Sequence, residues 1–209
     1  MVDSMVNEKD NKRYLKVMFG NKSGANGFEY KIGEVNIADN WNPKAETPKE
    51  IGGFNFSVED KIIRWLVRGD TIYDVEVPDD AELIDVMHPS TPHGVFRSNK
   101  IILLNPRKVT DELAMYFYLK SDIPEKSYFK AMAGCCVRGY INTAKKIFKD
   151  KINENNVDLA ISEFEDFCKP KDGWRDFPQK DFSKYNGVYT TEIYEMLQNF
   201  KNMNTKFLI

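Results

Sequence analysis

The sequence predicts an α+β fold, with a β-rich N-terminal half followed by a mostly helical C-terminal half. Between residues 14 and 107, short runs of alternating apolar and polar residues are separated by Gly, Pro and Asn, which is typical of strands with one buried face. From residue 108 onwards, apolar residues recur at helical spacing. Strands and helices that are segregated along a chain indicate an α+β architecture.

The organisation of the chain follows from the same patterns. We expect a disordered tail over residues 1–13, a β-rich domain over residues 14–107, and a helical region packed on that domain over residues 108–209. With 42% hydrophobic and 30% charged residues, the 209-residue chain has the composition of an ordinary globular protein. Its net charge of −2 creates no global field that favours nucleic acid.

The compartment is predicted from the absence of targeting signals and from the cysteines. No apolar run reaches the length of a membrane span, and no signal-peptide core stands at the N-terminus. Cys135, Cys136 and Cys168 are an odd number without a secretory signal, so we expect reduced, buried thiols. We therefore predict a cytoplasmic protein that has no membrane partner.

Residues 51–87 form the unit around which the β-rich half is organised. Phe54 and Phe56 alternate with a polar residue, which predicts a strand. Ser57 is expected to cap the helix that follows, with Asp60 completing a pair similar to a capping box. The predicted order is strand, helix, strand and short strand, over residues 51–57, 58–68, 71–77 and 83–87.

The remaining segments follow from turn and cap signals. Thr110 is expected to cap the first of five helices, Pro124 to open the second, and Gly139 to end it. The helices are predicted over residues 111–120, 124–138, 142–151, 156–168 and 190–204. Strands are predicted over residues 14–19 and 100–104, the latter a central strand stopped by Asn105-Pro106, and residues 27–33 form a strand or an extended loop. Loops are predicted over residues 36–50, 88–98 and 169–187.

No constellation of residues points to catalysis. His88 and His93 are the two histidines and lie in one predicted loop, residues 88–98, that itself contains no cysteine or carboxylate, so no metal site is predicted. The sequence contains no phosphate-binding glycine loop of the Gly-x-x-x-x-Gly-Lys-[Ser/Thr] type. We therefore predict no catalytic residue, no metal and no cofactor, and the balance of observations is against an enzyme.

Aromatic and basic residues supply the candidate binding positions. Trp41 and Trp174 lie in predicted loops, where an indole either stacks on a base or packs under the loop. Lys145 and Lys146 belong to a run of seven basic residues and one acid over residues 126–151. That run is either a solvated helix face complementary to an acidic neighbour or a patch that binds phosphate.

The N-terminal half resembles the N-terminal domains of giant-virus ankyrin-repeat proteins. The matching pieces are the segments Asn26-Gly27-Phe28-Glu29-Tyr30-Lys31-Ile32-Gly33, Gly52-Gly53-Phe54-Asn55-Phe56-Ser57, Val75-Glu76-Val77-Pro78-Asp79-Asp80-Ala81, and residues 97–104. Residues 127–151 resemble one ankyrin-type helix pair, with small residues in the first helix and Gly139 at the turn. That pair is either a remnant of a repeat or a plain helical hairpin. The resemblance implies a viral protein located in the host cytoplasm.

A second resemblance is to the ADP-ribosyltransferase fold. Gly53-Phe54-Asn55-Phe56-Ser57 followed by a helix looks like the motif in which an aromatic residue and a serine line the nicotinamide site. This implies ligand-binding roles for Gly53, Phe56 and Ser57. The strand that should carry the catalytic glutamate has Asn99-Lys100 instead. This departure puts transferase activity in doubt, and the resemblance then implies NAD or nucleotide binding.

Three hypotheses about function follow. The first is a non-enzymatic recognition module that binds a protein partner or a nucleotide-like ligand. The second is an ADP-ribosyltransferase-like enzyme, or an inactive relative of such an enzyme, that binds NAD. The third is an RNA or RNA-cap binding protein that uses Trp41, Trp174 and the basic run. The candidate ligand-binding residues are Trp41, Gly53, Phe56, Ser57, Lys145, Lys146 and Trp174.

Overall fold

The structure is a computed structural model that describes residues 12–23, 27–47, 50–87, 93–168 and 188–205. Within these ranges, an antiparallel sheet is built from the N-terminal half and helices from the C-terminal half, which confirms the α+β fold. The strands are β1 (Tyr14–Met18), β2 (Val35–Ile37), β3 (Phe54–Val58), β4 (Thr71–Glu76), β5 (Leu83–Asp85), β6 (Val95–Ser98) and β7 (Lys100–Lys108). Their order across the sheet is β2-β7-β4-β1-β3-β6-β5.

Strand β1 lies at the centre of the sheet, and both of its faces are buried. Leu15 and Val17 belong to a core that also contains Ile72 of β4 and the apolar residues of the helices. Met18 on the opposite face belongs to a second core, formed by aromatic side chains and by residues of β7. Because strand residues alternate between faces, the same five-residue strand connects the two cores.

The helices cover one face of the sheet. They are a 3₁₀ helix (Glu59–Arg68) and the α-helices α1 (Asp111–Leu119), α2 (Glu125–Arg138), α3 (Ile141–Lys151), α4 (Val157–Cys168) and α5 (Val188–Thr205). Ile62 and Leu66 of the 3₁₀ helix share a core with Phe129 of α2 and Phe164 of α4. The N-terminal sheet and the C-terminal helices therefore bury one continuous apolar core.

Side-chain caps define the first and third α-helices. The Thr110 hydroxyl accepts a hydrogen bond from the Leu113 amide at 3.2 Å, which confirms the predicted cap of α1. The Asp111 carboxylate accepts hydrogen bonds from the backbone amides of Asn142 and Thr143, at 2.9 and 3.0 Å. These amides lie in the first turn of α3, so a residue of α1 satisfies the N-terminus of another helix.

The predicted cap of the helix after β3 is wrong. Ser57 lies within β3, and its hydroxyl donates to the Gly94 carbonyl at 2.8 Å, so it is not available to the helix. Val58 occupies the N-cap position without a side-chain cap, and Asp60 instead pairs with Lys61 at 3.1 Å. The helix itself has 3₁₀ rather than α geometry over its ten residues.

The predicted end of the strand at Asn105-Pro106 is also wrong, since β7 continues to Lys108. The register between β4 and β7 shifts between Ile72 and Asp74, and Asn105 has a φ of 50°. Asn105 and Pro106 therefore form a bulge in β7. Pro106 has no amide hydrogen to donate, and at a bulge the hydrogen-bond ladder does not need one. β7 lies between β4 and the edge strand β2, one position in from the edge of the sheet.

Two strands lie in segments that were predicted as loops. In β2 the buried residue is Asn36, while Val35 and Ile37 are exposed, which inverts the usual pattern. The Asn36 side chain is held by hydrogen bonds with the backbone of Lys31. The other missed strand is β6, which pairs with β3 and β5.

The two described thiols and the end of α2 agree with the predictions. Cys135 and Cys136 are free, buried thiols, as predicted. Gly139 ends α2 in the left-handed conformation, at a φ of 80°. Residues 1–11, His88, Trp174 and the predicted loop 169–187 lie outside the described residues, as does the side chain of Cys168. No helix in the described ranges is long and apolar enough to cross a membrane.

We predict that Thr110→Ala destabilises the protein by about 1 kcal/mol, because the Leu113 amide loses its hydrogen-bond partner. Urea unfolding followed by circular dichroism measures this free energy. Thr110→Ser is the matched control, since it keeps the hydroxyl. Equal unfolding midpoints for the two variants would show that the cap contributes nothing.

Candidate functional site

Lys16 is a buried cation in the central strand. Its side chain is 6% exposed, and its amine donates to the backbone oxygen of Asn55 at 2.5 Å and to the Asn55 side-chain oxygen at 2.8 Å. Strands β1 and β3 are paired at two positions, where Tyr14 stands opposite Val58 and Leu15 opposite Ser57. The amine thus binds the Asn55 carbonyl just beyond the segment where the two strands pair.

The surroundings of Lys16 disfavour its positive charge. Burial is the main cause, and the positive charges of Arg68 and Arg97 add to it; together they lower the pKa of Lys16 to about 7. The ring centre of Tyr30 lies 5.3 Å from the amine. Among the residues that the structure describes, no carboxylate forms an ion pair with Lys16, so its charge is stabilised by neutral oxygens and an aromatic ring.

Arg68 and Arg97 approach this position from two other elements. Arg68 ends the 3₁₀ helix, and its guanidinium lies 4.6 Å from the ring centre of Trp65. Arg68 is exposed, and its pKa is lowered by the surrounding protein and then by the charge of Arg97. Arg97, on β6, donates to the Gly52 carbonyl at 2.6 Å, and burial lowers its pKa.

Arg64 adds a fourth cation, four residues before Arg68 in the same 3₁₀ helix. Its Nε atom is buried and has no hydrogen-bond partner among the described residues. Burial and then the charge of Arg68 lower the pKa of Arg64 to about 10, while the carboxylate of Glu163 acts in the opposite direction. Glu163 itself forms an ion pair with Lys130 at 2.8 Å.

We call Lys16, Arg64, Arg68 and Arg97 the cationic cluster. Within the described ranges, none of these four side chains forms an ion pair with a carboxylate. By contrast, Arg13 and Arg107 both bind the Asp74 carboxylate, each at 2.9 Å. Guanidinium and ammonium groups that lie together without a carboxylate form a region of positive potential that attracts anions.

Two of the predicted binding residues meet at the edge of the cationic cluster. Gly53 has a φ of 67°, and a Cβ atom there would lie 2.6 Å from Cε3 of Trp41. The Trp41 ring therefore packs directly on Gly53, next to the Gly52 carbonyl that Arg97 binds. The indole nitrogen of Trp41 donates to Glu82 at 2.8 Å, which fixes the plane of the half-buried ring.

The other predicted binding residues lie elsewhere. Phe56 is 4% exposed and contacts the rings of Tyr14 and Phe96, and Ser57 is 2% exposed and bonded to Gly94. Both side chains are part of the folded interior. Lys145 pairs with Glu192 at 2.5 Å and Lys146 with Asp150 at 2.7 Å, so the described carboxylates already balance these charges.

A depression of about 520 Å³ lies away from the cationic cluster. It is lined by residues of both charges, among them Arg13, Lys61, His93, Glu59 and Asp85. Arg13 pairs with Glu59 at 2.9 Å, and the His93 Nδ1 atom lies 3.7 Å from Asp85. Because its charges are already paired within the protein, this depression offers weaker electrostatic attraction to a charged ligand than the cationic cluster.

In the described part of the chain, no group of three or more His, Cys, Asp or Glu side chains is placed to hold a metal ion. No protein-family model, curated protein or solved structure matches the chain. The resemblances to giant-virus ankyrin-repeat proteins and to ADP-ribosyltransferases therefore stay predictions.

Sequence reasoning missed the cationic cluster because its members are far apart in the chain. Lys16 and Arg97 are separated by 81 positions and meet only through the order of the strands. One signal was present: Lys16 interrupts the run Tyr-Leu-Lys-Val-Met in a strand that is otherwise apolar. Lysine is rarely buried without a partner, so a lysine in such a strand marks an unusual site.

We predict a pH-dependent cost of Lys16 to stability. Its pKa falls from 10.5 in the unfolded chain to about 7 in the folded protein, so the unfolded state binds more protons between these values. The cost is therefore complete below pH 7 and diminishes as the pH rises above 7.

Thermal unfolding of the wild type and of Lys16→Met at pH 6 and pH 9 measures this effect. The melting temperature of the variant, relative to the wild type, should fall by roughly 5 °C between pH 6 and pH 9. Lys31→Met is the control at an exposed lysine and should show no such change. A difference that is independent of pH would contradict the depressed pKa.

Proposed function

We propose that the protein is a non-enzymatic recognition module that binds a nucleotide-like anion at the cationic cluster. The observation that carries this proposal is the approach of four cationic side chains from β1, β6 and the 3₁₀ helix, none paired with a described carboxylate. A buried or half-buried cation without a counter-charge destabilises a fold. A bound anion would offset that cost at Lys16 and Arg97 and would give the exposed Arg68 a counter-charge.

The chemistry of the side chains favours a phosphate group as the anion. A guanidinium presents several N–H donors in one plane, and this arrangement matches two oxygens of a phosphate. Arg68 stacks on Trp65, which holds its guanidinium in place before a ligand arrives. Since Arg97 uses one nitrogen for the Gly52 carbonyl, its other N–H groups are oriented as well.

The aromatic ring next to the cluster favours a ligand that also carries a base. Trp41 is half-buried against Gly53, beside the backbone that Arg97 binds. An aromatic side chain near a phosphate-binding group is the usual combination for a nucleotide, because bases stack on such rings. NAD and RNA, which sequence reasoning raised separately, both contain a base and phosphate and are tested by the same experiment.

A cytoplasmic location, in the host cell if the protein is viral, is part of this proposal. Cys135 and Cys136 are buried thiols that form no disulfide, which supports a reducing compartment. Binding to a protein partner is the alternative that the experiment below would favour if every nucleotide failed.

The test is a thermal-shift measurement with ADP-ribose, NAD, GTP, a methylated cap analogue and a short RNA. A ligand at about a hundred times its dissociation constant adds roughly 2.7 kcal/mol to the free energy of unfolding, a rise on the order of 5–10 °C. We expect such a rise with at least one nucleotide, and its loss in the double variant Arg68→Gln/Arg97→Gln.

The control is Lys126→Gln/Lys149→Gln, which removes two exposed positive charges from the helical region. It should keep the full shift. If the control loses the shift and the arginine variant keeps it, the ligand binds the basic helices and our proposal is wrong. A shift with RNA alone would favour the RNA-binding hypothesis, and no shift with any ligand would favour a protein partner.

A further inference from the structure

Lys16 differs from the other members of the cationic cluster because its charge can change near neutral pH. Arginine keeps its charge in proteins, whereas a buried lysine readily loses its proton. Burial and the two neighbouring arginines bring the pKa of Lys16 to about 7, so near pH 7 a substantial share of the molecules carries a neutral amine.

The groups around the amine come from several elements. Arg97 of β6 pairs directly with Asn55, the residue whose oxygens bind the amine, and Arg68 ends the 3₁₀ helix. Both arginines repel a protonated amine. Asn55 of β3 supplies two neutral oxygens. Tyr30 and Tyr73, which face the same side of the sheet, are phenols whose pKa values are raised by burial, so they stay neutral. The described surroundings therefore contain no negative charge that stabilises the ammonium form.

We propose that the cationic cluster binds a doubly charged tetrahedral anion of the phosphoryl type, and that Lys16 takes up one proton from solvent when the anion binds. This inference rests on the proposed function and deepens it. The neutral amine and a proton give the ammonium form, and no covalent bond is made or broken.

Anion binding is coupled to proton uptake because Arg68 and Arg97 repel the protonated form of Lys16. An anion bound by the arginines offsets their repulsion of Lys16 and adds an attraction of its own, so the ammonium form becomes the stable one. By linkage, each unit by which the anion raises the pKa of Lys16 is a tenfold difference in affinity between the two protonation states. The affinity for the anion should thus fall as the pH rises above 7.

The test follows the Lys16 side chain by NMR in protein labelled with ¹³C-lysine. The Cε resonance of each lysine is titrated from pH 5.5 to pH 9.5 with sodium sulfate, and with sodium chloride at the same ionic strength. Sulfate is a suitable probe because it carries two charges and does not titrate in this range. Lys16→Arg, compared with the wild type, assigns the resonance.

In chloride we expect one lysine with a pKa of about 7, and in saturating sulfate we expect its pKa to rise by at least about one unit. Lys31, whose side chain is 74% exposed, is the internal control, and its Cε chemical shift should be the same in both salts. The affinity of Lys16→Arg for sulfate should not change between pH 6 and pH 9, because its charge is permanent.

A second measurement needs no variant and covers the case in which Lys16→Arg fails to fold. Sulfate added to the wild type in weakly buffered solution at pH 7.5 should raise the pH, with an uptake of roughly half a proton per protein. No uptake despite sulfate-dependent shifts of the arginine side-chain resonances would overturn the proton coupling and leave the proposed anion site intact. If sulfate changes neither the arginine nor the lysine resonances, both proposals are wrong.

Discussion

The central strand β1 is the element on which the rest of the structure depends, because it is buried on both faces. Leu15 and Val17 pack against the helical layer, and Met18 packs against the aromatic core on the opposite side. Strand residues alternate between faces, so a shift of one residue would exchange the two sets. The layer of helices and the aromatic core are therefore held in register by the same five residues.

Because both faces of β1 are buried, Lys16 lies inside the protein. A residue of the central strand cannot turn to solvent, so its amine must find partners inside the protein, and it finds the two oxygens of Asn55. These oxygens satisfy the hydrogen bonds of the ammonium group, yet they do not neutralise its charge. Buried charges in proteins are usually paired. The fold thus tolerates an electrostatic cost at Lys16 that a methionine in its place would avoid.

Local signals predicted much of the fold, and tertiary contacts explain the rest. Thr110 and Gly139 were predictable because a cap and a left-handed glycine act on adjacent backbone. β2 was missed because its inward residue is Asn36, whose partners on Lys31 are visible only in the folded chain. Of the candidate site, the contact of Trp41 with Gly53 involves residues that the sequence singled out. The arginines were not predictable, since strand order alone brings β6 near the 3₁₀ helix.

Among the described residues, the members of the cationic cluster lack the carboxylate partners that several other cations have. The chain has 32 acidic residues against 30 basic ones, so carboxylates are not scarce. Asp74 pairs with two arginines, and Glu59 pairs with both Arg13 and Lys120. Where the described chain needs its cations neutralised for stability, it supplies a carboxylate from a neighbouring element. At Lys16, Arg68 and Arg97 the described residues supply none, and these are the cations for which we propose a bound anion as the counter-charge.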